Sequence, residues 1–151
     1  MTPPQTAADL VVERMIDAPR ERVWTAWTEP KLLRAWFYPE GCRMENPQFD
    51  VRPGGSYACD YHADGGTVHR VRGVFETLDQ PELIVMTHGW ADEAGVVEHD
   101  TRVTVTFADL GARTHITVRQ VGLPTEDARS SHDEGWRSAL EHLARCVAAT
   151  D

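Results

Sequence analysis

Hydrophobic and polar positions follow different spacings along the chain, and each spacing predicts a different kind of element. Residues 10–16 are mostly apolar and predict a first β-strand. Two short helices are predicted next. Asp17 suits the N-cap of the first and Pro19 an early position in it, and the second helix follows Pro30. Because both helices are short, we expect them to pack against a larger element.

Apolar and polar residues alternate between about Gly41 and Gly122, which is typical of an antiparallel meander. Strands of roughly 6 to 10 residues are expected there, separated by turns rich in glycine, proline and acidic residues. The predicted turns lie at residues 53–55, 64–66, 79–82, 91–95 and 109–112. The run Leu83–Met86 is apolar on both faces and therefore predicts a more central strand.

A long helix is predicted from about residue 125 to 149. Trp136, Leu140, Leu143 and Val147 recur at helical spacing and form one apolar stripe. The order of elements predicts an α+β fold, in which a curved antiparallel sheet of about seven strands wraps around a long C-terminal helix, with two short helices after the first strand. A curved sheet and a straight helix diverge towards one end, where we expect an internal cleft that suits a small molecule.

Several segments of the sequence carry a family resemblance. They read DAPRERVWTAWTEP (17–30), FDVRPGGSY (49–57), RGVFETLDQPELIV (72–85), VTVTF (103–107) and GLPTEDARSSHDEGW (122–136). In this order they resemble the activator of heat-shock protein 90 ATPase homologue family, part of the START-like, Bet v 1-like superfamily that is also called SRPBCC or polyketide cyclase-like. The resemblance implies one helix-grip domain over residues 9–149, preceded by a flexible tail over residues 1–8.

The resemblance implies a fold more specifically than a function. Superfamily members include lipid carriers, hormone receptors, ring-closing enzymes and a co-chaperone domain, and many bind an apolar or amphipathic small molecule between sheet and final helix. The 151 residues leave no room for the separate N-terminal client-binding domain of the eukaryotic co-chaperone, so we do not expect the family name to describe the activity. Three hypotheses stay open: binding of a hydrophobic or aromatic molecule, cyclase- or hydrolase-type catalysis, and a protein-interaction module.

Charge and composition narrow the range of partners. The 24 acidic and 15 basic residues give a formal net charge of -9, which disfavours nucleic acid as a partner. No apolar run approaches the roughly 20 residues of a spanning helix, so membrane insertion is not expected. The N-terminus does not resemble a secretory signal, and the widely spaced cysteines favour a reducing cytoplasm. No nucleotide-binding glycine loop is present, no cofactor is expected, and a homodimer stays open.

Two tryptophans are the first candidates for the cavity wall. Trp36 lies on the second short helix, near the expected cavity mouth, and Trp136 begins the apolar stripe of the long helix. An indole offers a large flat surface and one N–H donor, which suits a planar ligand. The alternative interpretation is that both rings serve only core packing. Phe75 and Leu140 are further candidates for the lining.

Met86, His88 and Trp90 share one face of their strand, because they alternate. If that face points inward, His88 is a buried polar group that could orient a ligand or act as acid or base. The alternative, in which Val85 and Thr87 point inward and His88 faces solvent, is marginally preferred, since the apolar run does not distinguish the two faces.

Gln120 and two tyrosines are predicted to bring polar atoms to the interior. Gln120 follows Ile116 and Val118 at two-residue spacing, so its amide is expected on the buried face. Tyr57 and Tyr61 add phenolic hydroxyls on an opposing hairpin. Buried polar atoms need partners, which are either other protein groups, water or a ligand.

The sequence gives only weak indications of a catalytic or metal-binding motif. Residues 130–133 contain the serine, histidine and aspartate of a catalytic triad, but consecutive helical residues point about 100° apart, so we interpret them as a polar helical surface. His62 and His69 could face each other across a hairpin, which would supply two metal ligands at most. We therefore expect no metal site and leave the catalytic residues unassigned.

Overall fold

The computed structural model describes residues 9–148, apart from the side chains of residues 98 and 99. The predicted tail over residues 1–8 lies outside the described residues, as does position 149. The chain forms β1 (Leu10–Ile16), α1 (Arg20–Thr28), α2 (Pro30–Trp36), β2 (Cys42–Phe49), β3 (Ser56–Ala63), β4 (Val68–Asp79), β5 (Leu83–Ala91), β6 (Val97–Leu110), β7 (Arg113–Val121) and α3 (Glu126–Ala148).

All seven strands pair antiparallel in one sheet with the order β1-β7-β6-β5-β4-β3-β2. This arrangement and the long α3 confirm the α+β helix-grip prediction, and β5 is the central strand, as predicted. Strands β4 and β6 span 12 and 14 residues, longer than expected. Register shifts in the β2–β3, β4–β5 and β5–β6 pairings interrupt the ladders, and such bulges let long strands bend around a helix.

The predicted cap of α1 is wrong. The helix begins at Arg20, and the N-cap position is Pro19, which has an extended backbone and no side-chain cap. The carbonyl oxygen of Pro19 accepts hydrogen bonds from the backbone N–H groups of Arg22 and Val23. The extended ψ of 155° keeps Pro19 outside the helix, which starts directly after it, and Asp17 lies two residues before the cap position.

The apolar stripe of α3 is buried as predicted, because Trp136, Leu140, Leu143 and Val147 are all at most 5% exposed. At the α1 end of the core, Trp27 packs edge-on against Trp36 with 4.7 Å between ring centroids. The helices thus cover the concave face of the sheet. In the described residues, no helix is both long and apolar enough to cross a membrane.

Candidate functional site

A cavity of about 450 Å³ lies beside the N-terminal half of α3, next to the loop that follows α2 and to strands β3–β5. Its position, at one end of the helix, is where the sequence predicts a cleft. The lining consists of Phe37, Tyr38, Pro39, Glu40, Cys42, Tyr61, His69, His88, Trp90, Ser131, His132, Glu134, Gly135, Trp136, Ser138 and Ala139.

Four of the ten residues predicted for the cavity line it. These are Tyr61, His88, Trp90 and Trp136. The other six are buried in the core and do not border this space: Trp36, Tyr57, Phe75, Met86, Gln120 and Leu140.

The Trp36 ring serves core packing, and it does not line the cavity. Its indole Nε1 donates to the backbone oxygen of Ala26 at 2.9 Å, and its side chain is completely buried. With its one donor used and its ring packed edge-on against Trp27, Trp36 fixes α2 against α1.

The preferred orientation of β5 is wrong, because Met86 and His88 point inward and are only 1% and 5% exposed. Met86 is paired with Phe75 on β4 and with Val103 on β6, and both of those side chains are buried. Thr87 points the other way, and its hydroxyl accepts a hydrogen bond from the backbone N–H of Val74. Pairing with both neighbouring strands therefore selects the face that carries His88.

The hydrogen bonds of Tyr57 fix the tautomer of His88. The Tyr57 hydroxyl lies 2.6 Å from the backbone oxygen of Thr87 and 2.9 Å from His88 Nδ1. A carbonyl oxygen only accepts, so the single phenolic proton is donated to Thr87. His88 Nδ1 must then carry a proton and donate it to Tyr57. This assignment leaves His88 Nε2 as an acceptor.

Gly73 on β4 makes room for this arrangement. A Cβ atom at Gly73 would lie 2.2 Å from the Thr87 backbone oxygen and 2.4 Å from the Tyr57 ring. Both distances are far below contact, so the Tyr57 ring crosses β4 only because the strand has no side chain there. The glycine therefore allows Tyr57 to reach His88.

A second cavity, of about 210 Å³, lies on the other side of a wall formed by His88, Trp90 and His132, which border both spaces. Trp90 Nε1 donates to His132 Nε2 at 2.8 Å, and His132 Nδ1 lies 2.7 Å from the carbonyl oxygen of Ala128. Because Trp90 can only donate and Ala128 can only accept there, His132 is neutral with its proton on Nδ1.

The interpretation of residues 130–133 as a polar surface is wrong for His132. The sequence contains a signal for its inward position: His132 precedes Trp136 by four residues and so extends the apolar stripe by one turn. The triad-like residues are neighbours in sequence, whereas the signal for His132 lies in its spacing from Trp136 along the helical face.

A chain of buried hydrogen bonds connects α3 to β5. Trp136 Nε1 donates to Gln120 Oε1, and Gln120 Nε2 donates to Thr101 Oγ1, each at 2.8 Å. Thr101 in turn donates to the backbone oxygen of His88 at 2.6 Å. Gln120 is completely buried, as predicted, and protein groups supply its partners. The chain holds the His88 segment of β5 in place relative to the helix.

The inner wall is uncharged at neutral pH. Burial, with a smaller contribution from nearby His132, lowers the pKa of His88 to about 3. Burial also lowers the pKa of His132, and His69 acts in the same direction. The pKa values of Tyr57 and Tyr61 are raised well above their usual range, chiefly by burial. Both imidazoles and both phenols are therefore neutral.

The loop over the cavity is tied to α3. The backbone N–H of Glu40 donates to Ser138 Oγ at 2.9 Å. His142 places Nδ1 3.0 Å from the carbonyl oxygen of Tyr38 and Nε2 3.0 Å from a carboxylate oxygen of Glu40. At the other side, Tyr61 donates to the carbonyl oxygen of Phe37 at 2.7 Å. These bonds fix the position of the aromatic residues in the loop.

The suggested pairing of His62 with His69 is wrong. His62 is opposite Val68 in the β3–β4 ladder, and His69 is opposite Tyr61. The two histidines thus occupy adjacent register positions, which point to opposite faces of the sheet. Among the side chains that the structure describes, no group of three His, Cys, Asp or Glu residues is placed to hold a metal ion.

Solved structures with the same architecture cover nearly the whole chain. A Chromobacterium violaceum protein is 30% identical, with a TM-score of 0.84, over 94% of this chain and 98% of its own. A protein from Arthrobacter aurescens is 26% identical, with a TM-score of 0.83, over 94% of this chain and 87% of its own. The AHSA1 protein from Silicibacter pomeroyi shares the fold at 23% identity, with a TM-score of 0.84, over 95% of this chain and 99% of its own.

A search among curated proteins finds no match. In contrast, the family described as Activator of Hsp90 ATPase homolog 1-like protein matches residues 17–148. This range includes every element from α1 to α3 and all residues that line both cavities. The match agrees with the resemblance of the sequence segments and with the helix-grip architecture. The chain therefore belongs to the Activator of Hsp90 ATPase homolog 1-like protein family, within the START-like fold class.

Proposed function

We propose that the protein binds a small apolar or amphipathic molecule, preferably aromatic, in the larger cavity between the sheet and α3. The observation that carries this proposal is the cavity itself. Its volume of about 450 Å³ lies within the roughly 300 to 1,000 Å³ typical of small-molecule sites. Aromatic rings from the loop, the sheet and the helix surround it, among them Phe37, Tyr61, Trp90 and Trp136.

The surroundings of the cavity favour a preformed site. Trp136, on the helix side, is held by Gln120, and the loop carrying Phe37 is held by Tyr61. Side chains that are already fixed lose little conformational entropy when a ligand binds, which favours affinity. The rings of Phe37, Trp90 and Trp136 offer flat apolar surface beside the polar side chains of the wall.

The chemistry of His88 favours binding over catalysis by a cyclase- or hydrolase-type mechanism. General bases work best with a pKa close to the working pH. Burial lowers the pKa of His88 to about 3, so this imidazole is a weak proton acceptor at neutral pH. It remains a good hydrogen-bond acceptor, which is the property that a binding site needs.

The exposed apolar side chains give less support to an interaction module. The large ones among the described residues are Val11, Met15, Leu32, Val74, Val96 and Leu110. They lie on several different elements, and isolated exposed apolar residues are ordinary on a protein surface.

Gly135 offers a direct test of the proposed site. It lines the cavity from α3, and a Cβ atom there would meet only Pro39, at an ordinary 3.7 Å. A Gly135→Leu variant should fill part of the cavity without a backbone clash, and replacing a helical glycine favours the fold. Gly135→Ala is the matched control, because it makes the same helical gain with little added volume.

The measurement is titration with N-phenyl-1-naphthylamine, a neutral apolar fluorophore. We expect the wild type and Gly135→Ala to bind it with similar affinity and Gly135→Leu at least about tenfold more weakly, as steric exclusion requires. Circular dichroism and thermal unfolding verify that all three are folded. Equal affinity in the leucine variant, or no binding to the wild type, would contradict the proposal.

A further inference from the structure

Nε2 of His88 is a polar atom at the cavity to which the described residues donate no hydrogen bond. The opposite nitrogen, Nδ1, donates to Tyr57, while the ring borders both cavities and is only 5% exposed. Nε2 opens onto the cavity, so a bound molecule that covers it without donating a hydrogen bond would leave the acceptor unsatisfied, which is energetically unfavourable. We therefore expect the ligand to carry a hydrogen-bond donor that reaches Nε2 of His88.

The surrounding hydrogen bonds keep Nε2 in the acceptor state. A proton on Nε2 of the neutral ring would have to come from Nδ1, which would break its bond to Tyr57. His132 is no alternative donor, because its Nδ1 proton is directed to Ala128 and its Nε2 accepts from Trp90. Trp136 is also occupied, since its N–H donates to Gln120. Neither side chain supplies a donor to Nε2, so a ligand that covers this atom binds more tightly if it supplies one.

The charges around the cavity disfavour an anionic ligand. Among the described residues that line it, none is Lys or Arg, whereas Glu40 and Glu134 contribute carboxylates. Glu40 is largely exposed, which places its charge towards solvent. A carboxylate ligand would lose its hydration inside without gaining a cationic partner, and burial of an unpaired charge is costly. Aromatic walls and a neutral acceptor instead match an uncharged ring with a hydroxyl group.

Building on the proposed function, we propose that the cavity selects neutral aromatic molecules with a hydrogen-bond donor, of which phenols are the leading class, and that the ligand hydroxyl donates to His88 Nε2. The ligand ring then packs among the rings of Phe37, Trp90 and Trp136. Selectivity comes from two features. The aromatic wall accepts any flat apolar ring of suitable size, and His88 distinguishes rings with a donor from rings without one.

Three naphthalene compounds of similar shape test this selectivity: 2-naphthol, 2-methoxynaphthalene and 2-naphthoate. We expect 2-naphthol to bind about three- to tenfold more tightly than the methyl ether, the gain typical of one net hydrogen bond. We expect the naphthoate anion to bind at least about tenfold more weakly than 2-naphthol, because it would bury an unpaired charge. Affinities are measured by calorimetry at neutral pH.

The variant His88→Phe keeps a ring of similar size and removes the acceptor. Whatever its absolute affinities, we expect this variant to bind 2-naphthol and 2-methoxynaphthalene equally well, since the acceptor that distinguishes the two compounds is gone. A preference that persists in this variant would overturn the role of His88.

The variant Tyr57→Phe provides a second test if His88→Phe does not fold. It retains the ring that crosses Gly73 but removes the hydroxyl that accepts the Nδ1 proton. The tautomer is then no longer fixed, so the preference for 2-naphthol should narrow and the imidazole ¹⁵N shifts of residue 88 should move. Unchanged ¹⁵N shifts together with an unchanged preference would overturn the proposed tautomer.

The two proposals fail in different ways. If wild-type protein binds neither 2-naphthol nor 2-methoxynaphthalene, the proposed function fails and the selectivity fails with it. If both bind with equal affinity, or if 2-naphthoate binds as tightly as 2-naphthol, ligand binding stands and only the inferred selectivity is overturned.

Discussion

The two halves of α3 contact the rest of the molecule in different ways. The C-terminal half buries Leu140, Leu143 and Val147, whose exposure is at most 3%, and Arg22 of α1 donates to its last turn. The part of the helix before Leu140 lines the larger cavity with the small residues Ser131, Gly135, Ser138 and Ala139, beside the rings of His132 and Trp136.

The difference between these two parts of α3 explains how the cavity arises. Both halves belong to one helix and both are opposed by large aromatic or aliphatic side chains. Where α3 carries leucine and valine the interior is filled, and where it carries serine, glycine and alanine space remains. The small residues of α3 thus leave room for the cavity beside the rings of His132 and Trp136. Hydrogen bonds through Gln120 and Ser138 tie the N-terminal half to its neighbours where apolar packing is reduced.

The largest expected effect is the loss of packing in the filled half. Leu143→Ala should lower the free energy of unfolding by about 2 to 5 kcal/mol, because it opens a new void in a closely packed region. Ser131→Ala, at an exposed position beside the cavity, opens no comparable void and should alter it by less than about 0.5 kcal/mol. Urea unfolding measures both. Similar losses in the two variants would mean that the halves do not differ in packing.

The second largest expected effect is the loss of the hydrogen bonds of Gln120, which hold the part of α3 that lines the cavity. Gln120→Leu removes the acceptor of the Trp136 N–H and a donor to Thr101, so we expect a loss of about 2 to 3 kcal/mol. Arg119→Leu changes the exposed neighbour on the same strand and serves as control, with an expected change within about 0.5 kcal/mol. Equal stabilities in urea would contradict a structural role for the chain of hydrogen bonds.

The third effect is pH dependence that originates at His88. Burial lowers its folded-state pKa to about 3, whereas the unfolded chain binds the proton near the ordinary pKa of 6.5. The unfolded state therefore carries more protons between these values, and stability falls as the pH decreases through this window. From pH 7 to pH 5 the contribution of His88 is about 2 kcal/mol.

The variant His88→Phe isolates this contribution. Unfolding measured at several pH values should show a flatter profile for the variant than for the wild type, with the difference largest at low pH. His132 remains in both proteins and contributes in the same direction, because burial lowers its pKa too. Parallel profiles would mean that residue 88 is not buried as a neutral ring.

The smallest expected effect concerns the wall between the two cavities. Trp90→Phe keeps an aromatic ring but removes the donor to His132 Nε2, which should cost about 1 kcal/mol or less because the contact is half-buried. The pKa of His132 should then rise towards its ordinary value, since protonation of Nε2 no longer displaces a donor. An NMR titration of the imidazole measures this shift. An unchanged titration would indicate that Trp90 does not control the protonation of His132.

Local periodicity was sufficient to predict most of the fold. The stripe of α3 is visible in the spacing of Trp136, Leu140, Leu143 and Val147, and the turns are visible in their glycines and prolines. The N-cap of α1 was harder, because Asp17 is a suitable capping residue by type, whereas the backbone places Pro19 at the cap position.

The site was predicted less completely, because its geometry depends on distant parts of the chain. The inward face of β5 is set by pairing with β4 and β6, and residues 83–86 are apolar on both faces. Trp36 and Trp136 look alike in sequence, yet only Trp136 faces the cavity. A buried ring borders a cavity only where the residues opposite it are small enough to leave space.

Gly73 links two positions that sequence comparison would treat as unrelated. Since any side chain at residue 73 would occupy the space of the Tyr57 ring, the two residues are constrained as a pair. In the evolution of this family, we expect replacement of this glycine to be accompanied by loss of the tyrosine. Such a joint change would remove the hydroxyl that accepts the Nδ1 proton of His88 and so free the tautomer of this histidine.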